Sequence, residues 1–191
     1  PDFYLHSRLP MLFITGGSTG SVSINDVVFA SLPRLLAACC IIHQVGSVSA
    51  DRAHSVKQRG PAAVMSRYHP VPYLDAATYS WILQNATIIV GRSGADTVIE
   101  VAALGCVALW IPLPWASGDE QQGNADWLVR AGSAAILSQS ALTPESLVKK
   151  VTEMVNNRQT YAQAAKKLAE KIPRDGADRL VDVLETVVPS T

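Results

Sequence analysis

The chain has 191 residues, 48% of them hydrophobic, and its 16 basic residues are matched by 16 acidic ones. This length suits one well-filled domain, and the apolar content is typical of a folded globular protein rather than a disordered one. Because the charges cancel and no patch interleaves basic with aromatic residues, nucleic acid is not an expected partner.

Membrane-spanning and metal-binding proteins are also disfavoured. The longest apolar runs are too short to cross a bilayer, and the sequence begins without a signal-peptide pattern. The three cysteines, Cys39, Cys40 and Cys106, lack metal-ligand spacing and lie in apolar surroundings. We therefore expect buried free thiols of a reducing compartment, with no metal or other cofactor.

Short apolar runs alternate with helical patterns along the chain. The runs predict strands at 11–15, 39–43, 64–65, 88–90, 107–111 and 134–137. Helices are predicted after the first strand (kinked or restarted at Pro33), at 78–84, from 95 to a stop at Gly105, before Gly132, and three times from Pro144 to Val187. Residues 47–62 are predicted as helix or loop. This alternation predicts an α/β fold with a doubly wound, Rossmann-like parallel sheet.

Ligands of such sheets lie at the carboxyl ends of the strands, over the loops that follow them. In this sequence those loops are residues 16–20, 44–46, 91–100 and 112–122. They contain nearly all the turn glycines and uncharged polar groups of the first two thirds of the chain. A ligand site is therefore expected along this edge.

The segment 88–100 predicts a strand, a tight turn at Gly91 and Gly94, and then a helix. Free backbone N–H groups and the positive end of the helix dipole would face an anionic ligand there. Glu100, a turn further on, is placed to accept hydrogen bonds from a diol such as a ribose. Two ordinary explanations remain open: Ser93 and Asp96 have the spacing of a capping box, and Glu100 is a solvated side chain.

The glycine-rich turn at 16–20 lets the backbone approach a phosphate closely, and Ser18 offers an amide and a hydroxyl. It is neither a P-loop nor the G-x-G-x-x-G turn of a dinucleotide site, and a simple tight turn is an equal alternative. Gln121 and Asn124 share a helix face and suit sugar hydroxyls, although polar residues are also common where a helix begins. His43, at a strand end, is more typical of a structural histidine than of a catalytic base.

Several motifs occur together in a fixed order: Gly16-Gly17-Ser18-x-Gly20 with Asn25, His43-Gln44-x-Gly46, Arg92-Ser93-Gly94-Ala95 through Glu100, Ala102-Ala103-Leu104-Gly105, Ile111-Pro112-Leu113-Pro114, and Gln121-x-x-Asn124-Ala125. The set closely resembles the C-terminal half of the MurG family from residue 11 onward. These bacterial enzymes transfer GlcNAc from UDP-GlcNAc to the lipid-linked muramyl-pentapeptide of peptidoglycan synthesis. The resemblance implies the donor-binding half of a GT-B fold over residues 11–191, with residues 1–10 as a linker remnant.

The resemblance also implies a role for particular residues in binding UDP-GlcNAc. Ser18 would contact the diphosphate, and Leu74 would offer its backbone to the uracil. The helix start from Ala95 would present amides to the sugar and phosphate, and Glu100 would hold the ribose. The implied substrate-binding set is Ser18, Leu74, Ala95, Asp96, Thr97, Val98, Ile99, Glu100 and Gln121. Gln121 would bind the GlcNAc, with Gln122 as the alternative if the longer loop before it shifts the register.

The implied reaction is an inverting, metal-independent displacement, and this chain would supply only its leaving-group half, with no catalytic residue of its own. The lipid-linked acceptor would bind through a missing N-terminal domain or a partner subunit, at the cytoplasmic side of the bacterial membrane. An alternative is a non-catalytic sugar-nucleotide-binding subunit of a two-component GlcNAc transferase. A UDP-sugar epimerase is disfavoured because acidic and basic residues for the sugar carbon are not found, and a nicotinamide dehydrogenase by its glycine spacing.

Overall fold

The computed structural model describes residues 9–17, 20–115, 119–173 and 175–187. In this part of the chain one sheet contains the strands β1 (Met11–Thr15), β2 (Cys40–Gln44), β3 (Tyr68–Val71), β4 (Ile88–Gly91), β5 (Ala108–Trp110) and β6 (Ala134–Ile136). The strands are all parallel, in the order β3-β2-β1-β4-β5-β6. The predicted Rossmann-like α/β fold is therefore confirmed.

Helices cover both faces of this sheet. The helices of the described residues are α1 (Val22–Leu35), α2 (Ala50–Arg59), α3 (Ala62–Met65), α4 (Ala76–Asn85), α5 (Ala95–Leu104), α6 (Glu120–Arg130), α7 (Pro144–Asn156), α8 (Arg158–Ala169) and α9 (Gly176–Val187). The last of these, α9, buries none of its residues. Among the residues described, no helix combines the length and apolar character needed to span a bilayer.

The core has two parts because alternate residues of a strand face opposite sides of the sheet. Leu12 and Ile14 of β1 pack with α1 and α7 on one face. Met11 and Phe13 pack with α4, α5 and α6 on the other. Nearly all residues of the central strands are buried, as is typical of a parallel sheet covered on both sides.

The prediction of a strand at 64–65 is wrong. Val64 and Met65 lie in the short helix α3, and both amides donate to the carbonyl of Pro61. The strand begins three residues later and includes Pro70. Proline is tolerated there because β3 is at the edge of the sheet, where a missing N–H leaves no neighbour unpaired.

The strand order reverses between β1 and β4, and the loops that follow these two strands lie side by side at this point. The turn after β1 requires glycine. A Cβ on Gly16 would lie 2.1 Å from the amide nitrogen of Ser21. Gly20 has a φ of +78°, and its Cβ would lie 2.4 Å from the carbonyl oxygen of Val45. The fold thus holds this turn closely against the end of β2.

Candidate functional site

A cleft of about 400 Å³ opens above the carboxyl ends of the central strands. It is lined by Thr15, Gly17, Gln44, Tyr73, Leu74, Ala76, Tyr79, Asp96, Thr97 and Glu100. The turn after β1, the end of β2, the segment leading into α4 and the first turns of α5 therefore share one cavity. Neither this cleft nor the rest of the described residues contains a group of three or more His, Cys, Asp or Glu residues that could hold a metal ion.

The N-terminus of α5 is open to a ligand. Its first hydrogen bond runs from the amide of Val98 to the carbonyl of Gly94, at 3.0 Å. The amides of Ala95, Asp96 and Thr97 have no acceptor in the described part of the chain, and Gly94 provides no side-chain cap. These free N–H groups and the helix dipole favour an anion at this position.

The capping box, given above as the ordinary explanation for Asp96, does not form at this helix start. The residue that caps α5 is Gly94, one position after Ser93. The hydroxyl of Ser93 instead donates to the carbonyl of Gln121, at 2.7 Å. This frees the first turn of α5, so Asp96 lines the cleft without a capping partner.

Glu100 lies one turn further along α5, exposed at the cleft. The Tyr79 hydroxyl donates to its Oε2 at 3.2 Å. Burial and, after it, the negative charge of Glu100 raise the pKa of Tyr79 to about 12, so the hydroxyl keeps its proton. The Tyr79 ring packs edge-on against Phe13, with centroids 5.8 Å apart. Glu100 is thus oriented from one side, and its Oε1 has no hydrogen-bond partner in the described part of the chain.

The structure brings several of the predicted binding residues together. The cleft contains Leu74, Asp96, Thr97 and Glu100. Ala95 is exposed immediately before Asp96, whereas the side chain of Val98 is in the core, and Ile99 is half exposed outside the cleft. Ser18 lies outside the described residues; its neighbour Gly17 lines the cleft.

Gln121 is not among the residues that line the cleft. Its Oε1 accepts from the amide of Leu113 at 3.0 Å. Asn124 donates from the same helix face to the carbonyl of Ser93, at 3.1 Å. The two amides therefore tie α6 to the turns after β4 and β5. Gln122 instead donates to Asp126 at 2.9 Å and lines a neighbouring hollow of about 510 Å³.

Arg92 also joins these loops through hydrogen bonds, and this role was not predicted from the sequence. Its guanidinium donates to the carbonyls of Ile111 and Pro112, at 2.9 and 3.3 Å. It also donates to three side chains at 2.6 to 3.1 Å: Ser21, Ser23 and Gln139. All five acceptors are neutral, so the positive charge has no carboxylate partner among these contacts. It adds to the positive potential at this edge of the sheet.

His43 is a satisfied structural histidine, as predicted. It is fully buried, and its ring nitrogens lie 3.1 Å from the Tyr68 hydroxyl and 3.0 Å from Oδ1 of Asn25. Asn25 donates onward to the Val45 carbonyl at 2.8 Å and to the Ser49 hydroxyl at 2.9 Å. Burial lowers the pKa of His43 to about 3, so the ring stays neutral.

Fold and cavity together define a class: a Rossmann-like domain whose cleft combines an open helix N-terminus with an exposed acid, Glu100. The model of one family, described as the glycosyltransferase family 28 C-terminal domain, matches residues 11–180. The chain belongs to this family.

Curated relatives and a solved structure agree with this assignment. The chain is 32% identical over 179 residues to a UDP-N-acetylglucosamine–N-acetylmuramyl-(pentapeptide) pyrophosphoryl-undecaprenol N-acetylglucosamine transferase of Saccharophagus degradans, covering 93% of the chain and 44% of that protein. It is 38% identical over 157 residues to the Corynebacterium efficiens protein of the same name, covering 82% and 40%. The crystal structure of Acinetobacter baumannii MurG superposes with a TM-score of 0.79 at 28% identity, covering 94% and 52%. The chain thus spans about half the length of the proteins it matches.

Proposed function

We propose that this chain binds UDP-GlcNAc as the donor-binding half of a glycosyltransferase of peptidoglycan synthesis. The reaction transfers GlcNAc to a lipid-linked muramyl-pentapeptide. The names of the relatives support this substrate and reaction. The observation that carries the proposal is the cleft itself, in which the open N-terminus of α5, the turn after β1 and Glu100 face one cavity.

The residues of the cleft suit the parts of a nucleoside diphosphate sugar. The diphosphate lies between the turn at Gly17 and the free amides of α5. The ribose hydroxyls donate to Glu100, and the uracil is held at the backbone of Leu74. Gln121 binds the GlcNAc from the side of the cleft; its Nε2 has no acceptor in the described part of the chain.

In the proposed reaction a hydroxyl of the acceptor attacks the anomeric carbon, and the bond to the diphosphate oxygen breaks. UDP leaves with the electron pair of that bond. Because the hydroxyl attacks from the face opposite to UDP, the configuration of the anomeric carbon is inverted, and the step proceeds without a metal ion. The amides of Ala95, Asp96 and Thr97 stabilise the charge that develops on the leaving diphosphate. The base that takes the hydroxyl proton comes from outside this chain.

The acceptor side belongs to a second domain or a partner subunit. That part binds the lipid-linked substrate and brings the donor cleft to the cytoplasmic surface of the bacterial membrane, where the assembled enzyme is peripheral. The donor domain alone is then expected to bind UDP-GlcNAc and to be inactive in transfer.

Calorimetric titration of the chain with UDP and UDP-GlcNAc tests donor binding. We expect saturable binding of both, and Glu100→Ala should weaken each by roughly 10- to 100-fold, because hydrogen bonds to a charged group are strong. Glu185→Ala, which removes an exposed acid on α9, is the matched control and should bind as wild type does. A folded protein that binds neither ligand contradicts the proposal.

A nucleotide that lacks one ribose hydroxyl tests whether Glu100 contacts the ribose. The wild type should bind 2′-deoxy-UDP more weakly than UDP, and Glu100→Ala should lose most of this preference because the two changes remove the same contact. An undiminished preference in the variant would place the ribose diol elsewhere.

A further inference from the structure

Gln44 is a buried amide whose two ends have different environments. It is the last residue of β2, is 5% exposed, and lines the cleft. The Thr15 hydroxyl donates to its Oε1 at 3.2 Å. Its Nε2 has no acceptor in the part of the chain that the structure describes.

A relay of hydrogen bonds fixes the orientation of this amide. The amide of Gly17 donates to Oγ1 of Thr15 at 3.0 Å, so this oxygen already accepts one hydrogen bond. The hydroxyl hydrogen of Thr15 then points to Oε1 of Gln44. Because Oε1 is the end held by Thr15, the donor end is left to the cavity.

The donor end of Gln44 is open to the cleft. Across the described residues, Trp110 Nε1 is the one fully enclosed side-chain nitrogen or oxygen without a partner. Gln44 Nε2 is therefore reached from the cavity, where it lacks a protein acceptor. The residue is 5% exposed and its accessible donor end is unpaired, so a ligand or water in the cleft is favoured to accept its hydrogen bond.

The position of Gln44 indicates which part of a nucleotide it meets. It pairs with Thr15 on one side and with Val71 on the other, so it lies between the turn after β1 and the segment leading to Leu74. The amides suited to a diphosphate are at the start of α5, whereas Leu74 is the proposed uracil contact. A neutral donor in the same cleft as Leu74 matches a neutral carbonyl oxygen.

We propose that Gln44 helps to recognise the base by donating from Nε2 to a carbonyl oxygen of the bound pyrimidine. This inference rests on the proposed function and adds a base-binding residue to the same cleft. Because the contact is with the base, removing it lowers the affinity for every uridine nucleotide by the same factor, whatever the number of phosphates.

Calorimetry with UDP and UMP tests this. Gln44→Met keeps the length of the side chain but has no donor, and it should weaken UDP and UMP equally, by about tenfold. Gln84→Leu, which changes an exposed glutamine on α4, is the matched control and should leave both affinities unchanged. Unchanged affinity in Gln44→Met, or a loss for UDP alone, overturns the proposal.

NMR of the wild-type side-chain amide gives a second test that does not depend on a variant folding. UMP should shift the Gln44 side-chain signals, whereas ribose 5-phosphate, which has the sugar and phosphate but no base, should not shift them. An equal shift with ribose 5-phosphate assigns the contact to sugar or phosphate and overturns the proposal. A wild type that binds no uridine nucleotide overturns the proposed function itself, before any variant is made.

Discussion

His43 and Gln44 are neighbours on β2, yet they belong to two different polar regions. His43 faces α1 in a closed network with Asn25 and Tyr68, in which both ring nitrogens have partners. Gln44 faces the cleft, and only one end of its amide has a partner. Both side chains are at least nine-tenths buried, so burial does not separate them. The two side chains differ in the completeness of their hydrogen bonding, which indicates a structural role for His43 and a binding role for Gln44.

The largest expected effect tests the structural side of this comparison. His43→Leu removes the centre of the network and leaves Asn25 and Tyr68 without their partner. We expect the free energy of unfolding to fall by about 2–4 kcal/mol, because buried polar groups lose their hydrogen bonds. Urea denaturation measures this loss, and the protein that remains folded should bind UDP as the wild type does.

His54→Leu is the control for that substitution, since His54 is exposed on α2 and, within the part of the chain that the structure describes, is hydrogen-bonded only to Gln58. Its stability should change by less than about 0.5 kcal/mol. A similar loss in both variants would show that the buried network has no special role.

The second expected effect is a pH dependence of stability, to which His43 of this network contributes. Burial lowers the folded-state pKa of His43 to about 3, whereas the unfolded chain titrates near 6.5. Burial also lowers the pKa of His69, to about 4. Between pH 6.5 and the folded-state pKa values, the unfolded state binds more protons than the folded state does. The free energy of unfolding therefore falls as the pH falls below 6.5. His43 alone contributes a slope of up to about 1.4 kcal/mol per pH unit.

Denaturation of wild type and His43→Leu at several pH values between 4 and 7 measures this slope. The variant lacks one of the depressed pKa values, so its stability should depend less steeply on pH. Equal slopes in the two proteins would contradict the assignment.

The smallest expected effect concerns the binding side. Tyr79→Phe removes the hydroxyl that orients Glu100 but keeps the ring against Phe13. UDP affinity should fall by roughly threefold, since a single neutral donor is lost. The preference for UDP over 2′-deoxy-UDP should persist, unlike in Glu100→Ala. Calorimetry with both ligands separates the two variants, and loss of that preference in Tyr79→Phe would assign the ribose contact to the tyrosine.

Most of the fold was predictable because hydrophobic patterning reflects local structure. Five of the six strands lie within a residue or two of their predicted positions. The exception is β3, which combines Tyr68 and His69 with Pro70. A proline in a strand is acceptable only at a sheet edge, and the order of strands is a tertiary property that local patterning does not contain.

The candidate site shows a similar division. Asp96, Thr97 and Glu100 belong to one continuous motif, so their common location in the cleft follows from the strand-turn-helix pattern. Gln44 was included as part of a loop at a strand end and of the motif His43-Gln44-x-Gly46, but no role was assigned to it. Its importance depends on Thr15 occupying one end of the amide, and this contact joins residues 29 positions apart in sequence. The capping box failed for the same reason, since Ser93 bonds to Gln121 across the fold.

A crystal structure of the chain with UDP-GlcNAc tests the central claim most directly. The account predicts the diphosphate at the amides of Ala95 to Thr97, the ribose hydroxyls on Glu100, and a uracil oxygen at Nε2 of Gln44. A nucleotide bound in the hollow beside Pro112 and Gln139, with the Glu100 carboxylate unoccupied, would contradict it.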